Sequence, residues 1–302
     1  MSDKQSRMAG NTANASSASP TWWLVFWREL RDLWIGGKAL YLILIYIILL
    51  GIYAFLFASN AEVKLLPLQE MVCEIVKASI AVGLFICLII GADSISGERE
   101  RATLEGLLLT PTSRRQIVVG KFFAAFSVWP VALATALPYW AVLSKGDEVF
   151  RQALLWGPLL GTLLALSFAG VGMLVSIWSN TNKTSMLVSI GIYLLFLLPT
   201  EIMGGPAKLQ RTAEQWYRAE LNQWVNPLAA TSRFLFKIMV NKLSAAELWF
   251  WHIMPVLFTV IVLVLLFAYA SPGLRLESET ARKFRSYWNR WPREITKLLR
   301  IS

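Results

Sequence analysis

Six stretches of this chain, roughly 39–58, 71–92, 117–143, 153–178, 185–203 and 250–270, are apolar over lengths that a soluble core rarely uses. At about 1.5 Å of helical rise per residue, each can cross about 30 Å of hydrocarbon. Inside a bilayer every backbone N–H and C=O must find its partner within the protein, so runs of this length read as helices. Composition agrees: 56% of the 302 residues are hydrophobic and 16% charged, against about 25% charged in soluble domains. The predicted class is an all-α polytopic membrane protein with six transmembrane helices. The second stretch carries Glu74 and Lys77 in its first turns, three apart and able to share a helix face. Pro130 and Pro138 fall inside the third, where they predict kinks.

Around the 39–271 transmembrane domain the chain divides simply. Residues 1–20 are small and polar, lack the apolar core of a signal peptide, and predict a disordered leader. Residues 21–38 predict an amphipathic interfacial helix: Trp23, Phe26, Trp27, Leu30 and Trp34 recur at helical spacing, Arg28, Glu29, Arg31 and Asp32 take other faces, and Gly36-Gly37 ends it. Trp22, Trp23, Trp27 and Trp34 are its expected headgroup anchors. Residues 204–249 predict a helical segment between the last two spans, either re-entrant or on the outer surface. It holds one helix around KLQRTAEQWYRAELNQW, a break at Asn226-Pro227, a second helix through Phe234, Leu235, Ile238 and Met239, and a capping box at Ser244 and Glu247. Residues 272–302 predict a basic tail on anionic lipid, with Trp288 and Trp291 as anchors and each cation worth about 1 kcal/mol near the surface. No recognised nucleic-acid module surrounds it.

Lysine and arginine counts set orientation. With the N-terminus inside, 19 of the 29 fall on the cytoplasmic side, which places both termini there. Cys73 and Cys87 lie too far apart on one helix to bridge each other, and read as small buried hydrophobes. His252 is the lone histidine, so no His-rich metal site exists.

The connection at 93–116, and its continuation to Lys121, is far richer than a hairpin turn requires: GERERATLEGLLLTPTSRRQIVVGK from position 97. Asp93 marks the end of the second span. Glu98 and Glu100 are expected to open the next helical turn, where carboxylates suit exposed amides. Arg99 and Arg101 interleave within reach of Glu105. Leu104, Leu107 and Leu108 form a stripe on a helix too short to span, and Thr110-Pro111 ends it. Ser113 and Gln116 predict a capping box for the third span, with Arg114 and Arg115 at headgroup level and Lys121 one turn in. A leucine stripe flanked by charges serves lipid or protein equally.

The string E-R-E-x-x-T-L-E-x-L-L-x-T-P-x-S-R, followed by Gly120-Lys121 at the start of the next helix, strongly resembles permease subunits of the ABC-2 family of ABC transporters. Asn226-Pro227-Leu228 resembles a short element before the last span of such permeases, and Ala102 stands where the family often has glycine. The alanine is expected to stiffen the helix slightly. The resemblance implies a coupling helix that inserts into a cleft on a separate ATPase, two permeases assembling with two ATPases. Carried over position by position, the docking element would be Glu98, Arg99, Glu100, Arg101, Thr103, Leu104, Glu105, Leu107, Leu108 and Pro111. Leucines would fill the cleft, charges fix the register and proline set the angle into span three. It further implies the cell membrane of a prokaryote, an export function, and a second permease, identical or related.

No G-x-x-x-x-G-K-[ST] occurs in these residues, so ATP and Mg are expected on the partner ATPase, with no cofactor or metal in this chain. Spans other than the second carry no charge near their centres, and Glu201 sits at the outer end of the fifth. Aromatic, uncharged spans suit a lipid-like or amphiphilic cargo. Two rival readings remain at this stage: an anchor that passes ATPase motion to an extracytoplasmic partner, and an intramembrane enzyme. The latter would need a nucleophile with its base, yet His252 stands beside Trp251 alone and Ser94 and Ser96 flank no histidine.

Overall fold

The structure, a computed structural model, describes residues 21–59, 67–104, 112–144, 146–204, 221–222, 224–244 and 249–270, with backbone alone at 58, 201–204, 249–252 and 269–270. Among these residues every regular element is helical. In chain order they are α1 (Thr21–Trp34), α2 (Lys38–Ser59), α3 (Leu68–Glu100), α4 (Arg114–Phe126), α5 (Val128–Ser144), α6 (Glu148–Trp178), α7 (Asn182–Gly204), α8 (Pro227–Met239) and α9 (Trp249–Val264). A π-helical turn, Leu265–Ala270, prolongs α9.

Five helices are long and apolar enough to cross a membrane: α2, α3, α4 with α5 as one unit, α6 and α7. The sixth expected span is present as α9 with its π turn, but its described apolar part, Ile253–Ala268, is shorter than the others. The leader, residues 208–220 and 223 of the expected 208–224 helix, Glu247 of the expected capping box and the tail with Trp288 and Trp291 lie outside the described residues.

The central pair is α3 and α6, whose most apolar windows are 67% and 78% buried, against 22% in both α2 and α7. Their backbones touch because each carries a glycine at the crossing. A Cβ on Gly172 would sit 2.2 Å from the Leu88 carbonyl oxygen, and one on Gly91 2.5 Å from that of Ala169. Helices without a water-driven hydrophobic force between them gain attraction from such close approach. On this pair α5 rests through two buried tryptophans: Trp129 Nε1 donates to Thr162 Oγ1 of α6 at 3.0 Å, and Trp140 Nε1 to Ser79 Oγ of α3 at 3.1 Å. Each indole buries its apolar body while its one donor stays satisfied.

Two boundaries depart from the sequence reading, each for a local reason. The third span is interrupted at the single residue Ser127, upstream of Pro130, with its backbone still in the right-handed helical region. Pro130 lacks an N–H and its ring crowds the carbonyl four residues back, on Phe126, which is where α4 stops. The helix of the second span does not stop at Asp93 but runs to Glu100, 33 residues in all, about 50 Å at helical rise. That exceeds the hydrocarbon thickness by several turns, so one end of α3 stands clear of the apolar layer. We call this the loop end and its opposite the far end.

At the far end, Asn226 fastens α8 to α7. Its Oδ1 accepts the N–H groups of Leu228 and Ala229 at 3.0 and 3.3 Å, a side-chain N-cap with Pro227 in the first helical position. Its Nδ2 donates to Phe196 O at 2.7 Å and Thr200 Oγ1 at 3.1 Å. The predicted helix through Phe234, Leu235, Ile238 and Met239 is formed, and those four side chains are buried against the chain's own spans. Lys77 pairs with Glu74 at 2.8 Å as expected, and lies 5.2 Å over the Phe236 ring.

A paired substitution tests the central contact. Gly172→Ala should lower the melting temperature of the detergent-solubilised protein by several degrees, matching an overpacking cost of about 1–3 kcal/mol. Gly191→Ala on α7, where an added Cβ meets nothing within 4 Å, should leave it unchanged or raise it.

Candidate coupling site

The loop end of α3 closes with a complete Schellman arrangement. The Thr103 N–H donates to Glu98 O at 3.0 Å, and the Ala102 N–H to Arg99 O at 3.2 Å. The motif requires a left-handed residue between them, and Ala102 fills it with φ +57°. Ala102 therefore does not stiffen a helix; it sits where the chain leaves one. Glycine adopts this conformation freely, whereas an alanine Cβ crowds the following carbonyl at a cost of about 1 kcal/mol.

Glu98, Arg99 and Glu100 are consequently in the last turn of α3, not at the start of a new helix. Two carboxylates at a helix C-terminus face the negative end of its dipole, so each must find compensation elsewhere. Glu100 Oε2 accepts the backbone N–H of Asn182 at 3.1 Å, which makes it an anion at the N-terminus of α7. Glu98 Oε1 lies 2.9 Å from Lys121 Nζ on α4. Arg99 suits its place: its guanidinium donates to the Ser179 and Ile177 carbonyls, the latter at 3.3 Å, where α6 ends and carbonyls lack helical partners. Arg101 lies 3.7 Å from Asp93 and donates to Gly97 O at 3.0 Å; Glu105, its expected partner, is outside the described residues.

Lys121, which the sequence placed one turn into the third span without a docking role, is the centre of the site. Its side chain is 0% exposed, held between Glu98 and Glu29 of α1, each at 2.9 Å, and donating to Ser94 O at 3.1 Å. A buried ammonium is tolerated only when its donors are used in this way. Glu29, assigned by periodicity to a face other than that of the aromatics, points inward because α1 packs directly on α4. A Cβ on Gly120 would meet Trp22 O and Val25 Cγ1 at 2.9 Å. Trp34 Nε1 donates to Ser127 Oγ at 3.1 Å, fixing the other end of α1 to the α4–α5 break. Trp23 and Trp27 stay exposed and stack at 6.2 Å, and Trp22 is half-buried.

A second centre lies one helical turn away. Asp93 is 2.7 Å from Lys38 Nζ at the start of α2 and accepts from Asn182 Nδ2 at 2.8 Å. Ser96 Oγ donates to Asn182 Oδ1 at 3.1 Å, and Ser185 Oγ to Ala92 O at 2.8 Å. The final turns of α3 are thus tied by charge or hydrogen bond to α2, α4, α6 and α7, and through Lys121 to α1.

The remaining expected docking residues divide. Thr103 belongs to the helix stop, its Oγ1 donating to Glu98 O at 3.3 Å. Leu104 is 1% exposed and part of the chain's own core, so it is not a free leucine presented to a partner. Glu105, Leu107, Leu108 and Pro111 lie outside the described residues. The capping box is formed in both directions: the Gln116 N–H donates to Ser113 Oγ at 3.3 Å and the Ser113 N–H to Gln116 Oε1 at 3.2 Å. Among the described residues no three His, Cys, Asp or Glu side chains converge on a possible metal position.

Apolar helices of membrane-crossing length, with a charged hub at one end, mark an integral membrane protein. The chain belongs to the ABC-2 transporter family: the profile described as "ABC-2 family transporter protein" matches residues 23–278. Over 164 residues it is 24% identical to "Probable multidrug ABC transporter permease YbhR" of Escherichia coli strain K12, covering 54% of this chain and 42% of that protein. Over 188 residues it is 27% identical to "Probable ABC transporter permease protein NosY" of Pseudomonas aeruginosa, covering 59% of this chain and 68% of that protein. The matched region spans less than half of the first of these relatives.

Two measurements probe the hub. Lys121→Met should destabilise the protein by about 3–5 kcal/mol, because it leaves Glu29 and Glu98 buried without their cation; adding Glu29→Gln and Glu98→Gln should recover much of that loss in thermal unfolding. Ala102→Gly should raise the melting temperature by about 1 kcal/mol's worth of stability, as the left-handed residue is relieved.

Proposed function

We propose that this chain is the membrane-spanning permease subunit of an ATP-driven exporter, moved by a separate ATPase that docks on the loop between α3 and α4. The observation that carries this reading is the position of the loop: it leaves a long rigid helix at Ala102 and re-enters the fold at the Ser113 cap, and both roots are fastened to the same hub. A push on the loop would reach α1, α2, α6 and α7 through Lys121, Arg99, Glu100 and Asp93 without first unfolding anything. Packed elements with fixed ends move as bodies.

In this proposal Leu107 and Leu108 enter the ATPase cleft, Glu105 sets the register and Pro111 the angle of return. Leu104 supports them from inside the core. Two ATPases and a second permease, identical or related, complete the assembly, and the outward apolar faces of α2 and α7 are available for that second copy or for lipid. The α9 segment with its π turn serves as the sixth span. Both termini face the cytoplasm, α1 lies along that surface with Trp23 and Trp27 toward lipid, and the membrane is the prokaryotic cell membrane. The uncharged, aromatic interior favours an amphiphilic cargo.

The test is reconstitution with the cognate ATPase in vesicles. Leu108→Asp should reduce permease-dependent ATPase stimulation at least about tenfold, since a carboxylate must be desolvated in the cleft, while the protein elutes and melts as the parent does. Leu104→Asp is the wrong probe, because it places the charge in the permease's own core. Undiminished stimulation by Leu108→Asp would reject the docking assignment. Stimulated hydrolysis with no cargo moved across the vesicle wall would favour a force-transmitting anchor instead.

A further inference from the structure

Beside the hub, between α2, α3 and α7, lies a cleft of about 590 Å³, within the range of small-ligand sites. Its character changes with depth. One side is charged: Lys38, Asp93, Glu100, Arg101, Asn182 and Lys183. The other is apolar, formed by Leu33, Tyr41, Leu42, Ile89, Ile90 and Met186.

The charges do not balance. Lys38, Arg101 and Lys183 oppose Asp93 and Glu100. Both carboxylates are already engaged: Asp93 with Lys38, Arg101 and Asn182, and Glu100 with the N-terminus of α7. Lys183 is exposed and has no ion-pair partner among the described residues. The cleft also faces the first turns of two long helices, α2 and α7, whose dipoles favour an anion at that level. Below the charges, Tyr41 is 66% exposed at the start of α2, and the outward faces of α2 and α7 continue as leucine and isoleucine. Charge at one level with an uninterrupted apolar wall beneath it matches an amphiphile standing upright in a leaflet.

We propose that this cleft binds one anionic phospholipid of the surrounding leaflet. Lys183, with Lys38 and Arg101, holds its phosphate, and an acyl chain lies against Ile89, Ile90 and Met186. Basic recesses between membrane helices recognise headgroups by this combination. A free phosphate offers the charge but nothing for the apolar wall, and a zwitterionic headgroup offers the chain without the net charge. The site shares Asp93 and Glu100 with the hub, so an occupant would be in contact with the groups that tie α2 and α7 to α3.

The experiment uses the purified full chain in detergent, with no ATPase present, so its outcome is independent of whether the coupling proposal stands. Phosphatidylglycerol, phosphatidylcholine with the same acyl chains, and glycerol 3-phosphate are each titrated, with retained lipid counted by native mass spectrometry and stabilisation followed by melting. Phosphatidylglycerol should bind preferentially, and glycerol 3-phosphate should not bind at the same concentrations. Lys183→Glu should weaken phosphatidylglycerol binding at least about fivefold, from about 1 kcal/mol per cation near the surface, and Lys183→Gln somewhat less. Met186→Trp, which fills the apolar wall and leaves every charge in place, should weaken both lipids. Equal retention of the two lipids, tight binding of the chainless phosphate, or unaltered binding by a Lys183→Gln protein that melts as the parent does would each overturn the assignment.

Discussion

The backbone contact between α3 and α6 is the constraint from which the remaining arrangement follows. In lipid, helices gain nothing by hiding apolar surface from water, so attraction between them must come from proximity and from polar contacts. Gly91 and Gly172 supply proximity, allowing each helix to rest against the carbonyls of the other. Once that pair is set, Trp129 and Trp140 place α5 and Tyr193 places α7, its hydroxyl donating to Ala81 O at 2.6 Å. The end of α6 is then delivered beside the end of α3, where Arg99 can reach its last carbonyls.

The hub follows a different physics from the body it terminates. Apolar packing along α3 tolerates small slides, because dispersion is spread over many weak contacts. Charges buried at the loop end do not, since every displaced partner exposes an uncompensated ion in a medium that solvates it poorly. Two carboxylates share the Lys121 ammonium, and two helix termini are closed by side chains of α3 itself, Arg99 at the end of α6 and Glu100 at the start of α7. Such contacts add little net stability relative to a well-packed apolar alternative, but they select one register among many.

What was legible in the sequence follows the range of the interaction involved. The Ser113–Gln116 capping box spans three residues and was read correctly, whereas Asn226-Pro227 was read as a break and proves to be the cap of the helix that follows. The spans were legible because bilayer thickness imposes a length. Hydropathy, however, reports where apolar sequence ends and not where a helix ends, so α3 was cut at Asp93 although its charged turns remain helical. The prolines of the third span were seen, but Pro130 acts on the carbonyl of Phe126 and the break appears upstream of it. The meeting of Glu29, Glu98 and Lys121 is a product of tertiary packing. Its faint trace in sequence is a single lysine inside IVVGKFFAAF, flanked by residues that bury. Of the leucine stripe only Leu104 lies among the described residues, and periodicity could not say that it faces its own chain.

Ala102 joins these strands. A rod transmits a push only if its end is stiff, whereas a loop proposed to dock on a partner benefits from a joint at its root. The Schellman stop provides both within two residues: α3 is held to its last turn by the hub, and the chain then turns at one left-handed residue. With glycine there, that turn would be intrinsically relaxed. With alanine, about 1 kcal/mol of backbone strain is stored at the joint, held in place by the Thr103 and Ala102 hydrogen bonds back onto α3. Strain persists at a site only where the surroundings over-determine the geometry, and the surroundings here are the charged contacts of Glu98, Arg99 and Glu100. Loosening the hub would therefore release the joint before it disturbed the glycine-packed core.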